Sequence, residues 1–227
     1  MLRAVIFDCD GVIVNSEPHH LTAFREALKG EGISLSTAEY YSKYLAMDDK
    51  ACFEAVLRAK GRRTDADRIA RLMEKKMALY ERLSHEELVL YPGVVNLVNT
   101  LKERYRLAIA SGALHEEVRF AVEKGRLQDA FPVLVAAQDV RNGKPHPEAF
   151  QTALARLNGL PPRPVPPIQP AECLVIEDSV HGIEGARSAG MKCLAVTNSY
   201  PKEKLTRADL VVESLEKIRL EDLEKLF

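Results

Sequence analysis

Two aspartates separated by a single residue follow the first apolar run of the chain. Asp8 and Asp10 come directly after Ala4–Phe7, and Gly11 comes next. Side chains two positions apart on an extended chain point to the same side, so both carboxylates would face one site. Two neighbouring carboxylates repel each other, which implies a bound cation, a shared proton or both. Oxygen ligands of this kind suit Mg²⁺, which is therefore the cation that such a pair would hold.

Three later segments offer further groups that could hold a phosphate or a cation. Ser111 and Gly112 end an apolar run and present a hydroxyl and backbone N–H groups to a phosphate oxygen. Lys144 lies in a loop of glycine and proline, where it would be a point charge for phosphate. Glu177 and Asp178 end another apolar run and add two carboxylates. An acidic pair alone could be a helix cap or a turn former, but the three later segments favour a binding site.

The four segments, in this order, resemble the motifs of the haloacid dehalogenase-like hydrolases. The resemblance covers nearly the whole chain and is to the subgroup with a helical cap, which includes beta-phosphoglucomutase and the phosphoglycolate phosphatases. It implies a Rossmann-like core with a mobile cap, Mg²⁺ as the cofactor and a small phosphorylated metabolite as the substrate. Asp10 separates this chain from the true haloacid dehalogenases, which lack an acid at that place.

The resemblance also implies a role for each matching residue. Asp8 would attack phosphorus and become an aspartyl-phosphate, and Asp10 would be the general acid and then the general base. Ser111 and Gly112 would bind the phosphoryl oxygens. Lys144 would bind the same group and, as a catalytic residue, offset the charge of Asp8. The implied metal ligands are Asp8, Asp10 through its backbone carbonyl, Glu177 directly or through a water, and Asp178.

One histidine of the inserted segment has a counterpart in the mutase of this subgroup. His20 matches a histidine at the cap hinge, where it could orient Asp10 or gate closure. A histidine at such a place could also simply cap or pack a helix end. We expect the neighbouring His19 to face the solvent.

The favoured activity is a phosphatase, with a sugar-phosphate mutase as the alternative. A mutase must hold a second phosphate, and the known one does so partly with an arginine early in the cap. By ungapped count this position falls on Asp49, whose carboxylate would repel a phosphate dianion, although Lys43 and Lys50 could compensate. A third possibility is a catalytically idle binding protein, and the intact acidic and lysine segments argue against it.

Short apolar runs alternate with helical periodicity along most of the chain. These runs are apolar throughout, as expected of parallel strands that are covered on both faces. The alternation predicts a doubly wound parallel α/β sheet. The expected strands are residues 4–7, 107–110, 133–136, 174–176, 193–196 and 210–212.

The segment after the first strand breaks this alternation. About eighty residues carry helical periodicity and almost no strand signal. We interpret residues 16–89 as a helical cap domain inserted into a Rossmann-like core of residues 1–15 and 90–227. Residues 58–82 are rich in Lys and Arg, which indicates a solvated helix face or a basic rim that draws anionic substrates. The prolines of residues 160–170 predict a stiff surface loop.

The composition excludes several other classes of protein. The 227 residues carry a net charge of −1, which provides no basic field for nucleic acid. No apolar run approaches the roughly 20 residues that cross a membrane, and the first run is too short for a signal peptide. The four cysteines lack a metal-binding spacing and are expected to be free thiols in a reducing cytosol. We therefore expect a cytoplasmic monomer with neither nucleic acid nor membrane as a partner.

Overall fold

The computed structural model describes residues 1–45 and 47–227, and for residues 85–87 it describes the backbone alone. The chain divides into two units. The sheet unit comprises Met1–Asn15 and Val89–Phe227, and the helical unit comprises Ser16–Leu88.

A parallel sheet forms the centre of the sheet unit. Within the described residues its strand order is β3-β2-β1-β4-β5-β6, and every neighbouring pair is parallel. The strands are β1 (Ala4–Phe7), β2 (Arg106–Ala110), β3 (Val133–Val135), β4 (Cys173–Glu177), β5 (Lys192–Val196) and β6 (Leu210–Val212). The prediction of a doubly wound α/β sheet is therefore confirmed, and each predicted strand boundary lies within one residue of the observed one.

Helices account for most of the remaining regular structure. Those of the helical unit are α1 (Glu17–Lys29), α2 (Thr37–Lys43), α3 (Asp49–Ala59) and α4 (Ala66–Glu87). Those of the sheet unit are α5 (Val94–Lys102), α6 (His115–Lys124), α7 (Glu148–Gly159), α8 (Val180–Ser188) and α9 (Leu220–Glu224).

The central strands are buried on both faces, which explains why their sequences are apolar without alternation. All four residues of β1 are buried. On one face, Ile6 belongs to a core cluster that includes Phe150 of α7 and Ile183 of α8. Burying one such side chain stabilises the fold by roughly 1.5–3 kcal/mol, so the sheet holds the ends of its strands firmly in place.

The helical unit has its own apolar core and its own helix-start signals. Phe24 of α1 packs edge-to-face against Phe53 of α3, with ring centroids 4.9 Å apart. Helices α2, α3 and α4 begin after residues whose side chains accept a backbone N–H of the first turn, an arrangement typically worth about 1 kcal/mol each. These capping residues are Ser36, Asp48 and Asp65.

Within the sheet unit, the proline-rich segment 160–170 is fixed by side chains that form hydrogen bonds with its backbone. Arg106 donates to the carbonyl of Leu160 and also to that of Pro162. The Asn158 amide pairs with the backbone of Ile168 through two hydrogen bonds of 2.8 and 2.9 Å.

The cysteines, all of them buried, are free thiols. Across the described ranges we find no helix that combines the length and apolarity of a membrane span.

Candidate functional site

The acidic segments meet where β1 and β4 lie side by side at the centre of the sheet. From β1 the chain builds β2 and β3 on one side, and β4, β5 and β6 on the other, so a topological switch lies between β1 and β4. Ligands of open α/β sheets bind at the carboxyl ends of strands at such a switch. Asp8, Glu177 and Asp178 converge there, and one oxygen of each lies within 4.8 Å of the others.

A tight turn after β1 brings its backbone against Asp178. Gly11 has a φ of 76°, and a Cβ atom at this position would lie 1.8 Å from Asp178 Oδ2. A glycine is therefore required both by the backbone conformation and by the close approach of the carboxylate. Asp10 begins this turn and is half-buried.

Lys144 joins two of the carboxylates. Its Nζ atom lies 2.7 Å from Asp8 Oδ1 and 2.6 Å from Glu177 Oε1. Burial opposes the charged form of the lysine, but the two carboxylates outweigh it and raise the pKa of Lys144 above its usual value. Lys144 therefore remains an ammonium, and the predicted contact with Asp8 is present.

Both oxygens of Glu177 are already engaged by donors. Oε1 accepts from Lys144, and Oε2 accepts from the backbone N–H groups of Asp178 and Ser179 and from the Ser179 hydroxyl. Burial alone would raise the pKa of Glu177. The charge of Lys144 and these hydrogen bonds together outweigh burial, so the pKa is lowered from its usual value. A Cβ atom at Gly182 would lie 1.8 Å from the Glu177 carboxyl, so α8 approaches it closely.

The other two carboxyls are left with an excess of buried negative charge. Burial, opposed by Lys144, raises the pKa of Asp8 to about 7. The pKa of Asp178 is raised well above its usual value by burial and by the neighbouring carboxylates of Glu177 and Asp8. One ammonium cannot balance these carboxylates, and oxygen ligands suit a hard divalent cation. The residues present therefore fit Mg²⁺.

The hydroxyl segment lies on the strand that neighbours β1 on its other side. Ser111 follows β2 and is buried, and its N–H donates to the Val135 carbonyl at 2.9 Å. The Ser111 hydroxyl oxygen accepts from the Ala113 N–H at 3.0 Å, which leaves its own proton free to be donated. Gly112 faces open space at the position where a Cβ atom would be. This segment thus ends at the same edge of the sheet as the acidic ones.

Two residues after β5 also reach this edge, and the sequence analysis missed them. The Ser199 hydroxyl donates to Asp178 Oδ2, and Asn198 Nδ2 donates to the Gly11 carbonyl at 2.7 Å. Both residues come shortly after an expected strand. Because parallel strands end at one edge of a sheet, this position could have predicted that they lie near the acidic segments. Asn and Ser are also ordinary turn residues, so this signal was weak.

A buried lysine forms a second polar cluster, inside the helical unit. Lys76 Nζ lies 2.9 Å from His20 Nδ1 and 2.9 Å from Asp49 Oδ2. An ammonium can only donate, so His20 Nδ1 accepts and the neutral ring carries its proton on Nε2. Burial, followed by the charge of Lys76, lowers the pKa of His20 well below its usual value.

Lys76 was the other residue that the sequence analysis missed. It falls within the Lys- and Arg-rich segment, where a solvated face or a basic rim was expected, yet its side chain is only 3% exposed. Its spacing from Leu72 and Tyr80 places it on the apolar stripe of α4, and that spacing was the available signal. The expectation that His19 faces the solvent is wrong, because His19, in the first turn of α1, is buried.

Comparisons with known proteins identify a matching family model, related sequences and similar solved structures. Residues 5–196 match the family model of the haloacid dehalogenase-like hydrolases. The chain is 29% identical over 193 residues to the phosphorylated carbohydrates phosphatase of Thermotoga maritima, covering 84% of this chain and 83% of that protein. It is 28% identical over 232 residues to the beta-phosphoglucomutase of Bacillus subtilis, covering 99% and 95%. The crystal structure of CbbY from Rhodobacter sphaeroides in complex with phosphate has a TM-score of 0.84 and 25% identity, with 99% and 100% covered.

We expect Gly11→Ala to destabilise the protein more than Gly32→Ala. Both glycines have positive φ, where an L-residue costs roughly 1–2 kcal/mol, but Gly32 has open space around its missing Cβ. Gly11→Ala adds the collision with Asp178. Urea unfolding followed by circular dichroism, with EDTA present, measures both losses. Equal losses in the two variants would contradict the close approach.

The His20 environment predicts a pH-dependent contribution to stability. Because the folded protein holds the pKa of His20 below its ordinary value of about 6.5, the unfolded chain binds more protons at lower pH. The free energy of unfolding contributed by neutral His20 is therefore present above about pH 6.5 and lost as the pH falls below it. Urea unfolding at about pH 7.5 and pH 5 should show the wild type losing more stability than His20→Gln. His181→Gln, at an exposed histidine, is the control, and equal losses in wild type and His20→Gln would refute the assignment.

Proposed function

The chain belongs to the haloacid dehalogenase-like hydrolase family, and on this premise we propose that it is a Mg²⁺-dependent phosphatase of a small phosphorylated metabolite. The observation that carries the proposal is the contact of Lys144 with Asp8 beside the buried carboxylate of Asp178. This arrangement sets a carboxylate nucleophile, a fixed cation and a ligand for a divalent ion at one end of the sheet. The proposal includes a cytoplasmic location and a monomeric state.

Asp8 is the proposed nucleophile, and Asp10 is the proposed acid and base. A carboxylate oxygen of Asp8 forms a bond to phosphorus while the ester P–O bond breaks, and Asp10 gives its proton to the leaving oxygen. In the second step a water attacks the aspartyl-phosphate, and Asp10 takes the proton of that water. The Asp8–phosphorus bond then breaks, which releases phosphate and restores Asp8.

Positive charge and hydrogen-bond donors must reduce the repulsion between an anionic nucleophile and an anionic phosphate. Lys144 already neutralises part of the charge on Asp8 and would contact the phosphoryl group as well. The Ser111 hydroxyl and the backbone N–H groups at Gly112 would hold phosphoryl oxygens. The free hydroxyl proton of Ser111 and the open space at Gly112 support these assignments.

Asp8, Asp178 and the backbone carbonyl of Asp10 would hold Mg²⁺. When bound, the ion supplies positive charge that offsets the developing charge on the phosphoryl group. Glu177 would contribute directly or through a water. Because both of its oxygens already accept hydrogen bonds, the structure favours the water-bridged form, with Glu177 mainly holding Lys144 in place.

The helical unit would act as the cap that chooses the substrate, with His20 as a hinge or orienting residue. One relative, from Thermotoga maritima, is a phosphatase of phosphorylated carbohydrates, which supports a substrate of that kind.

A sugar-phosphate mutase is the second candidate, because a beta-phosphoglucomutase is among the relatives. The Asp49–Lys76 ion pair argues against it. Asp49 stands where the mutase has an arginine by ungapped count, and its carboxylate is bound to the ammonium of Lys76. The pair thus presents no net positive charge to a second phosphate.

The proposed mechanism predicts that Asp8→Asn abolishes Mg²⁺-dependent hydrolysis of an aryl phosphate, because an amide cannot form the acyl phosphate. Asp10→Asn should slow turnover by about 10²–10⁴-fold, as expected when a general acid and base is lost. Phosphate release, assayed with Mg²⁺ and with EDTA, measures both effects, and the exposed Asp129→Asn is the matched control. Appreciable turnover by Asp8→Asn would remove the covalent mechanism, and a near-normal rate for Asp10→Asn would reassign its role.

The choice between phosphatase and mutase predicts the fate of beta-glucose 1-phosphate with glucose 1,6-bisphosphate as primer. Loss of a charge-assisted hydrogen bond, worth about 1.5–3 kcal/mol, would weaken bisphosphate binding by about 10–100-fold. We therefore expect little or no glucose 6-phosphate in an assay coupled to glucose 6-phosphate dehydrogenase. The Bacillus subtilis mutase is the positive control. Isomerisation faster than phosphate release would favour the mutase.

A further inference from the structure

Two side chains of the loop after β5 form hydrogen bonds with residues of the proposed cation site. Because β5 pairs with β4, with Glu177 opposite Ala195, this loop leaves the sheet at the same edge as Asp178. The Ser199 hydroxyl donates to Asp178 Oδ2, and the Asn198 amide donates to the Gly11 carbonyl at 2.7 Å. We call Asn198 and Ser199 the β5 clamp.

The two oxygens of Asp178 are placed differently by these contacts. Oδ2 accepts the Ser199 hydrogen bond and lies so close to the Gly11 backbone that a Cβ atom there would be 1.8 Å away. Oδ1 is the oxygen that Ser199 leaves available. The Asp178 side chain is buried, so its orientation is set by these neighbours and not by solvent.

We propose that Ser199 is a positioning residue that makes Asp178 a one-oxygen ligand and thereby favours Mg²⁺ over Ca²⁺. Ca²⁺ accepts carboxylates through one or both oxygens in a large and flexible shell, whereas Mg²⁺ requires near-octahedral geometry. A hydroxyl proton on Oδ2 competes with two-oxygen binding but leaves one-oxygen binding intact. The inference rests on the proposed function in one respect, namely that Asp178 is a metal ligand.

Asn198 has a different part in the same clamp. Its hydrogen bond goes to a backbone carbonyl of the turn after Asp10 and not to a carboxylate oxygen. Loss of this bond would loosen the turn without changing how many oxygens of Asp178 are available. Asn198→Ala should therefore weaken both cations by similar factors, which makes it the matched control for Ser199.

Calorimetric titration of the protein with Mg²⁺ and with Ca²⁺, without substrate, tests the assignment. Ser199→Ala should weaken Mg²⁺ binding by about 10–100-fold, as is usual when a group that orients a metal ligand is lost. Ca²⁺ binding should weaken less, so the dissociation constant for Mg²⁺ divided by that for Ca²⁺ should rise. Ser199→Thr keeps the hydroxyl and should restore the wild-type ratio. If Ser199→Ala does not fold, Ser199→Cys, with a weaker donor, should give an intermediate ratio.

The outcomes separate failure of this inference from failure of the proposed function. An unchanged ratio in Ser199→Ala, or an equal change of ratio in Asn198→Ala, would overturn the positioning role while leaving Mg²⁺ binding in place. A wild-type protein that binds neither cation would instead overturn the magnesium site itself.

Discussion

Repulsion among buried carboxylates at the ends of β1 and β4 is the constraint that organises the sheet unit. The parallel pairing of these strands forces Asp8, Glu177 and Asp178 together, away from water. Lys144 bridges two of them, and removing one partner of such a buried pair typically costs 3–5 kcal/mol. The remaining negative charge is what makes the site receptive to a divalent cation. The fold can maintain this arrangement because the strands beneath it are covered on both faces.

Close backbone approach fixes these charged groups in position. Gly11 lies against Asp178 and Gly182 lies against Glu177, each so near that a single added carbon would collide with the carboxyl. Glu177 is held further by the N–H groups of the turn into α8, so it holds Lys144 from a rigid base. Charged groups held in this way need little rearrangement when charge develops beside them, which is how preorganised charge contributes to catalysis.

The sequence was sufficient to predict the strands and the acidic residues at their carboxyl ends. It was not sufficient to predict the side chains that hold those acidic residues in place. Apolar runs of parallel strands are distinctive, and residues that follow such runs must share one edge, which is why Asp8, Ser111 and Asp178 were found. Ser199 was missed because a serine in a loop has many ordinary uses. Lys76 was missed because a lysine on an apolar stripe becomes meaningful only when its partner is known, and Asp49 comes from another helix. Such pairings depend on tertiary packing.

The two units differ in how their buried charges are balanced. In the sheet unit, the carboxylates exceed the lysine that contacts them, so a divalent cation would offset the excess. In the helical unit, the ammonium of Lys76 is matched by the carboxylate of Asp49, and His20 is held neutral. This pair therefore supplies its own counter-charge. An added cation would therefore stabilise the carboxylates at the ends of β1 and β4, where the lysine alone leaves negative charge uncompensated.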